Sequence, residues 1–294
     1  MKKSIQKLLV VLLMTVMTLG GGVSGAWASS WSQVGSLSGD AASVNTLVTI
    51  NNTLYAGTDN GVWTWNGTTW SQLGTLAYDV QSLVMLNGTL YAGSFYYGVW
   101  AWNGSTWAQV GTLSSHVQDL AVVNNNLYVA TGDGVYAKSG SNWTILGLAG
   151  KQVLRLLAAN DTLYAGTAQN GVYYYYYGDF QPCGSNNKPW GTQNVGDLHL
   201  YNYEVYAGTK GGGVWSFIGS TWYQRGGALS DDVFVLTSDE PFGTLYAGTN
   251  SGVKYLGGGT WNQVGSLSNR VVGLTTINNI LYAGTSNNGV WVYQ

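Results

Sequence analysis

The sequence predicts an all-β chain folded as a seven-bladed β-propeller, with four antiparallel strands in each blade. Three observations carry this expectation. One short motif recurs seven times, the composition favours turns and strands over helices, and the two ends of the mature chain complement each other. Of 294 residues, 43 are Gly, 21 Tyr and 14 Trp, while only 8 % are charged. Soluble domains usually carry about a quarter charged residues, and the aromatic and β-branched bias here suits strands.

In chain order, the first element is a secretory leader over 1–28. Lys2, Lys3 and Lys7 form its basic start, Leu8 to Leu19 its short apolar run, and Ala26-Trp27-Ala28 the small residues of a cleavage site after Ala28. The apolar run is short for a bilayer span. The mature domain, 29–294, is therefore expected outside the cytoplasm, with no membrane insertion. Loss of the three leader lysines leaves eight basic residues against thirteen acidic ones, which argues against nucleic acid as a partner. Cys183 is the sole cysteine, so no disulfide can form within the chain.

The repeat follows. Leu-Tyr-Ala-Gly-Thr begins at Leu54 and recurs at Leu90, Leu163, Leu245 and Leu281, with degenerate copies at Leu127 and Val205. Successive starts are 36, 37, 36, 42, 40 and 36 residues apart. A Val with a Leu three residues later precedes each copy, as in Val44/Leu47 and Val153/Leu156. Gly-Val-aromatic follows it, as in Gly61-Val62-Trp63. A further Trp comes 16 or 17 residues after the motif start: Trp70, Trp107, Trp143, Trp222 and Trp261. In the fourth unit that Trp is read as displaced to Trp190, with an insertion around 178–189 projecting from the lower face.

Each unit thus reads as four short strands, in the second unit about 80–86, 89–94, 98–102 and 106–110. Asn87-Gly88 and Asn103-Gly104 supply hairpin letters. The strands are apolar on both faces, as expected where sheets stack around an axis. Trp31–Val34 reads as a fourth strand with nothing before it, and Gly289–Gln294 as a third with nothing after it. Pairing the two closes the ring and removes open edges.

With these motifs in view, the chain resembles bacterial propellers with short Leu-Tyr-Ala-Gly-Thr and Gly-Val-Trp repeats, akin to the sensor-type propeller repeats beside two-component regulators. The resemblance spans nearly the whole mature chain. It implies a platform for a ligand or a protein and assigns no site residue.

Function is expected where units depart from the template. Loops leading into the innermost strand share the upper face with loops joining the second and third strands. The residues just before the inner Val, Ser43, Asp79, His116, Gln152, Asn194, Asp232 and Arg270, are all polar and are expected to ring the channel mouth, either as a solvated rim or as a ligand site. Blade two departs further, with Tyr78 in its lead-in loop and Phe95-Tyr96-Tyr97 where other blades place Gly, Asn or Asp. These four are expected to gather, as local packing or as a surface for a sugar or a protein. Asp119, Arg155 and Asp197 hold one position in consecutive blades and suggest an inter-blade ion pair.

No metal-ligand spacing, phosphate cradle or paired carboxylates stand out, and no cofactor is expected. Two readings remain: a secreted, monomeric, non-catalytic module or scaffold binding a glycan or protein partner, and an extracellular glycan lyase or hydrolase using Asp79, Asp232 and His116 at the mouth.

Overall fold

In the computed structural model, residues 29–113, 115–239 and 243–294 are described; the leader expected over 1–28 lies outside them. Among the described residues the strands form seven four-stranded antiparallel sheets. The innermost strands are Val44–Ile50, Val80–Leu86, Val117–Val123, Val153–Ala159, Val195–Tyr201, Val233–Ser238 and Val271–Ile277. We number the blades one to seven in that order. The short 3-10 turn Gly39–Ala42 precedes blade one. No helix among the described residues is long and apolar enough to cross a membrane.

The ring closes as expected. Trp31–Gln33 pairs antiparallel with Val290–Tyr293, Trp31 opposite Tyr293, and becomes the outer strand of blade seven. The core lies between blades as seven apolar clusters, one per interface. At the centre of each sits the inner Val, fully buried in all seven blades.

The motif letters now acquire physical reasons. The second motif strand packs against the inner Val of the next blade, so a Cβ on Gly57 would lie 2.8 Å from Val80 Cγ1 and 3.0 Å from Val80 O. The motif Thr is fully buried, and its hydroxyl donates to a carbonyl of the upper turn, as Thr58 does to Gly61 at 3.0 Å. The outer-strand Trp joins neighbouring blades: Trp70 Nε1 donates to Val34 O at 2.8 Å and Trp107 Nε1 to Leu73 O at 2.6 Å. Lower hairpins turn on two left-handed residues, such as Asn51 and Asn52 at φ 50° and 60°, a conformation Asn adopts more readily than most residues.

Blade four corrects the sequence reading. Its outer strand is Asp179–Pro182, and Phe180, opposite Tyr175, takes the place of the repeat Trp. Phe and Trp present similar flat apolar faces, so the register holds, while the indole donor is lost. The extra residues therefore fall after the outer strand, in the loop 183–194 that leads into blade five. That loop belongs to the upper face: Asn187 Nδ2 donates to Asn170 O and Lys188 Nζ to Gln169 O, both in the second-to-third-strand turn of blade four. Trp190, in this loop, packs edge-on against Trp222 at 5.2 Å.

Candidate functional site

One feature of the inner strands determines what faces the channel. In every blade the pairing of first and second strands skips one residue directly after the inner Val. In blade one, Val44 pairs with Thr58 and Thr46 with Gly57, leaving Asn45 unpaired. Such a bulge bends a strand and re-aims the extra side chain. Here the bulged residues line a cavity of about 190 Å³ at the upper mouth.

The lining is asymmetric. Blades one to three contribute the amides Asn45, Gln81 and Gln118, whereas blades four, six and seven contribute Leu154, Phe234 and Val272. Arg155, Lys210 and Arg270 are the charged members of the lining. Arg270 lies over the Phe234 ring at 4.0 Å, and the Lys210 ammonium is 5.5 Å from the same ring. Burial, then repulsion from Arg155 and Arg270, holds the Lys210 pKa below its ordinary value, and Asp232 partly offsets this.

Deeper in the channel the charges are carboxylates. Asp119 accepts hydrogen bonds from Ser82 Oγ at 2.6 Å and from the backbone N–H groups of Leu120 and Leu156, each at 2.8 Å. Asp197 accepts from Leu236 N at 2.7 Å and lies 3.9 Å from Arg155 Nε. Burial raises the pKa of both, Asp197 to about 7, against the opposing pull of Arg155. The expected inter-blade ion pair is thus present, and each carboxylate also accepts the N–H of the inner-strand Leu of the following blade. These groups hold blades together.

The residues before the inner Val lie at the upper turns, while the bulged positions follow that Val. Of the seven, Arg270 alone is part of the mouth lining. Their backbone carbonyls instead close the upper turns: Ser43 O accepts from Asp59 N, Gln152 O from Ala168 N, and Asn194 O from Lys210 N. Asp232 bridges Lys210 along the backbone. The bulge moves the mouth position two residues onward, a displacement no letter pattern announces.

The four aromatics of blade two lie together. Tyr97 stacks on Tyr78 with centroids 4.0 Å apart, and Tyr78 in turn leans on Trp100 at 5.4 Å. Trp100 Nε1 donates to Tyr97 O at 3.0 Å. Phe95 stacks on His116 at 4.5 Å, and Tyr96 meets both edge-on at 4.8 and 5.2 Å. Tyr96 and Tyr97 are 67 % and 48 % exposed, so the surface is open while its supports are packed. In this blade the motif Thr is Ser94, whose hydroxyl donates to Asp79 at 3.1 Å; Gln81 also bonds Asp79, and burial raises that carboxyl's pKa. Gln81 therefore lies between the tyrosines and the mouth.

Reading the sequence missed Asn45, Gln81, Gln118, Lys210 and Phe234. Lys210 could have been noticed, since it follows the motif where other blades place small or short polar residues or Phe95. His199, in contrast, is half-buried against Ser238 Oγ at 3.0 Å, away from the upper loops, and desolvation lowers its pKa to about 4. Among the described residues no three His, Cys, Asp or Glu side chains gather where a metal could sit.

No protein-family model and no curated protein matches the sequence. Solved structures match the fold. The extracellular domain of BT4673 from B. thetaiotaomicron, described in one structure as a one component system and in another as a hybrid two component system, aligns with a TM-score of 0.76 at 18 % and 19 % identity over 90 % of this chain. That of BT3049 from the same organism, also assigned to a hybrid two component system, aligns at 0.75 and 14 % identity over 91 %. This chain spans 40 % and 42 % of the lengths of those two domains. A catalytically inactive His-to-Ala virginiamycin B lyase from Staphylococcus aureus, solved with quinupristin, aligns at 0.75 and 10 % identity, covering 91 % of this chain and 99 % of that one. At these identities the likeness is one of fold.

Proposed function

We propose that this chain is a secreted, non-catalytic binding module that recognises a glycan through its upper loop face. The observation that carries the reading is the supported aromatic surface of blade two. Tyr96 and Tyr97 present open ring faces, while Tyr78, Trp100, Phe95 and His116 hold them from behind. A sugar ring offers an apolar face to stack and hydroxyls to hydrogen bond, and rigid tyrosines meet both needs with little ordering cost. The leader expected over 1–28 supports a setting outside the cytoplasm, and the extracellular domains that share the fold are in keeping with it.

Screening the mature protein on a glycan array tests the reading. A bound glycan is expected to be lost in a Tyr96→Ala/Tyr97→Ala double variant. Thermal stability is expected to change little, because exposed substitutions usually cost within about 0.5 kcal/mol. Binding that survives the double variant would refute it. Turnover of the glycan, abolished by Asp79→Asn or His116→Ala, would instead establish the enzyme reading.

A further inference from the structure

The mouth cavity adjoins the tyrosine surface at Gln81, but its chemistry is different. Few charges are available to this protein: eight basic residues remain once the leader is removed. Three of them, Arg155, Lys210 and Arg270, converge on one small cavity at the mouth, while the carboxylates Asp119 and Asp197 line the deeper space that shares Asn45, Gln81, Arg155 and Phe234 with it. Arg155 is engaged, its Nε near Asp197 and its Nη1 donating to Leu154 O at 2.8 Å. Lys210 feels the attraction of Asp232 without an ion pair, and Arg270 lies over the Phe234 ring. Among the described residues neither has a carboxylate within 4.0 Å, and the three ion pairs present involve other cations.

Two like charges held over one Phe ring repel each other. An oxyanion seated between them would relieve the repulsion and accept charge-assisted hydrogen bonds, which are about twice as strong as neutral ones. Across the mouth the amides of Asn45, Gln81 and Gln118 offer donors and acceptors suited to hydroxyls. The Phe234 ring and Leu154 supply an apolar wall. At about 190 Å³ the cavity is smaller than the roughly 300–1,000 Å³ that holds drug-sized ligands, which suits an occupant of one sugar ring.

We propose that the channel mouth is a binding site for a sugar acid, with the carboxylate held between Lys210 and Arg270 and the hydroxyls met by Asn45, Gln81 and Gln118. The site is independent of the glycan surface on blade two: either can fail without the other.

Calorimetric titration of the mature protein with galacturonate and glucuronate, beside galactose, glucose and inorganic phosphate, tests this. At least one uronate is expected to bind, and its neutral counterpart, which has CH₂OH where the acid has a carboxylate, to bind at least tenfold more weakly. Lys210→Met and Arg270→Gln are each expected to weaken uronate binding at least tenfold, and Lys138→Met, whose ammonium donates to Gly140 O in an exposed hairpin, to leave it unchanged. The comparison of acid and neutral sugar uses the unaltered protein, so it stands even where a variant folds poorly. Silence toward both uronates, equal binding of acid and neutral sugar, phosphate binding alone, or indifference to both charge removals would overturn the assignment.

Discussion

Cys183 carries a thiol that is fully buried, with its pKa pushed up to about 12 by burial. The thiol is therefore not presented on a projecting loop. The residue closes the outer strand of blade four, where its carbonyl accepts from Trp222 Nε1 at 3.0 Å. A buried thiol with so little thiolate is inert. Native protein is expected to resist a thiol-reactive dye and to run as a monomer on non-reducing gels, with labelling appearing on denaturation. His199 is the second residue with a measurable consequence. Its ring stays neutral in the folded chain down to about pH 4, whereas an unfolded His takes a proton below 6.5. Between those values the unfolded state binds more protons, so stability falls as pH drops through the window. A shift of this size corresponds to about 3 kcal/mol. Urea denaturation at pH 7.5 and 4.5 is expected to show a smaller acid loss for His199→Gln than for the unaltered protein. The raised carboxyl of Asp197 acts in the opposite sense, adding stability that fades as pH rises toward about 7. It is common to both proteins, so the difference isolates His199.

Within the strands, hairpin letters and motif spacing were readable because they encode local geometry. Blade two shows this, its inner three strands Val80–Leu86, Thr89–Ser94 and Gly98–Trp102 lying where the letters place them. In blade four the flat apolar face is kept while the identity of the residue changes from Trp to Phe, so the Trp letter alone does not mark the strand. Phe180 stands 17 residues after Leu163, within the spacing of the other units, and so could have been found. What Phe cannot do is donate to the neighbouring blade. Trp70→Phe is accordingly expected to keep the fold and to lower stability by about 1–2 kcal/mol, the usual cost of removing one partner of a buried hydrogen bond. Denaturant unfolding with an unchanged m-value would verify it. The bulges after the inner Val were not readable. Skipping one residue of a ladder depends on how the inner strand curves around the channel, and Asn45, Gln81 and Phe234 share no letter that marks it.

Across the whole molecule, stability rests on closure. Trp31 packs against Tyr293 with centroids 5.2 Å apart, and its Nε1 donates to Val264 O at 2.7 Å, so one residue links both sides of the joint. Trp31→Ala is expected to cost about 3 kcal/mol, at the lower end for large-to-small aromatic changes because the ring is partly exposed. Deleting 29–33 should do more. It would leave Val290–Tyr293 as an open edge, and such edges recruit other chains. Size-exclusion chromatography is expected to show concentration-dependent association for the deletion and a single monomer peak for the intact chain.

By itself the sequence determined the number of blades, the hairpins, the joining of the two ends and the clustering of aromatics in blade two. Each depends on residues close in the chain or on a repeat that can be counted. Only the tertiary structure decided that Lys210 and Arg270 meet over Phe234, and that Asn45, Gln81 and Gln118 face them. Those contacts join different blades across a channel whose lining is selected by bulges, and the physical reason is curvature: the side chain at a bend is aimed by the ring as a whole, not by its neighbours in sequence.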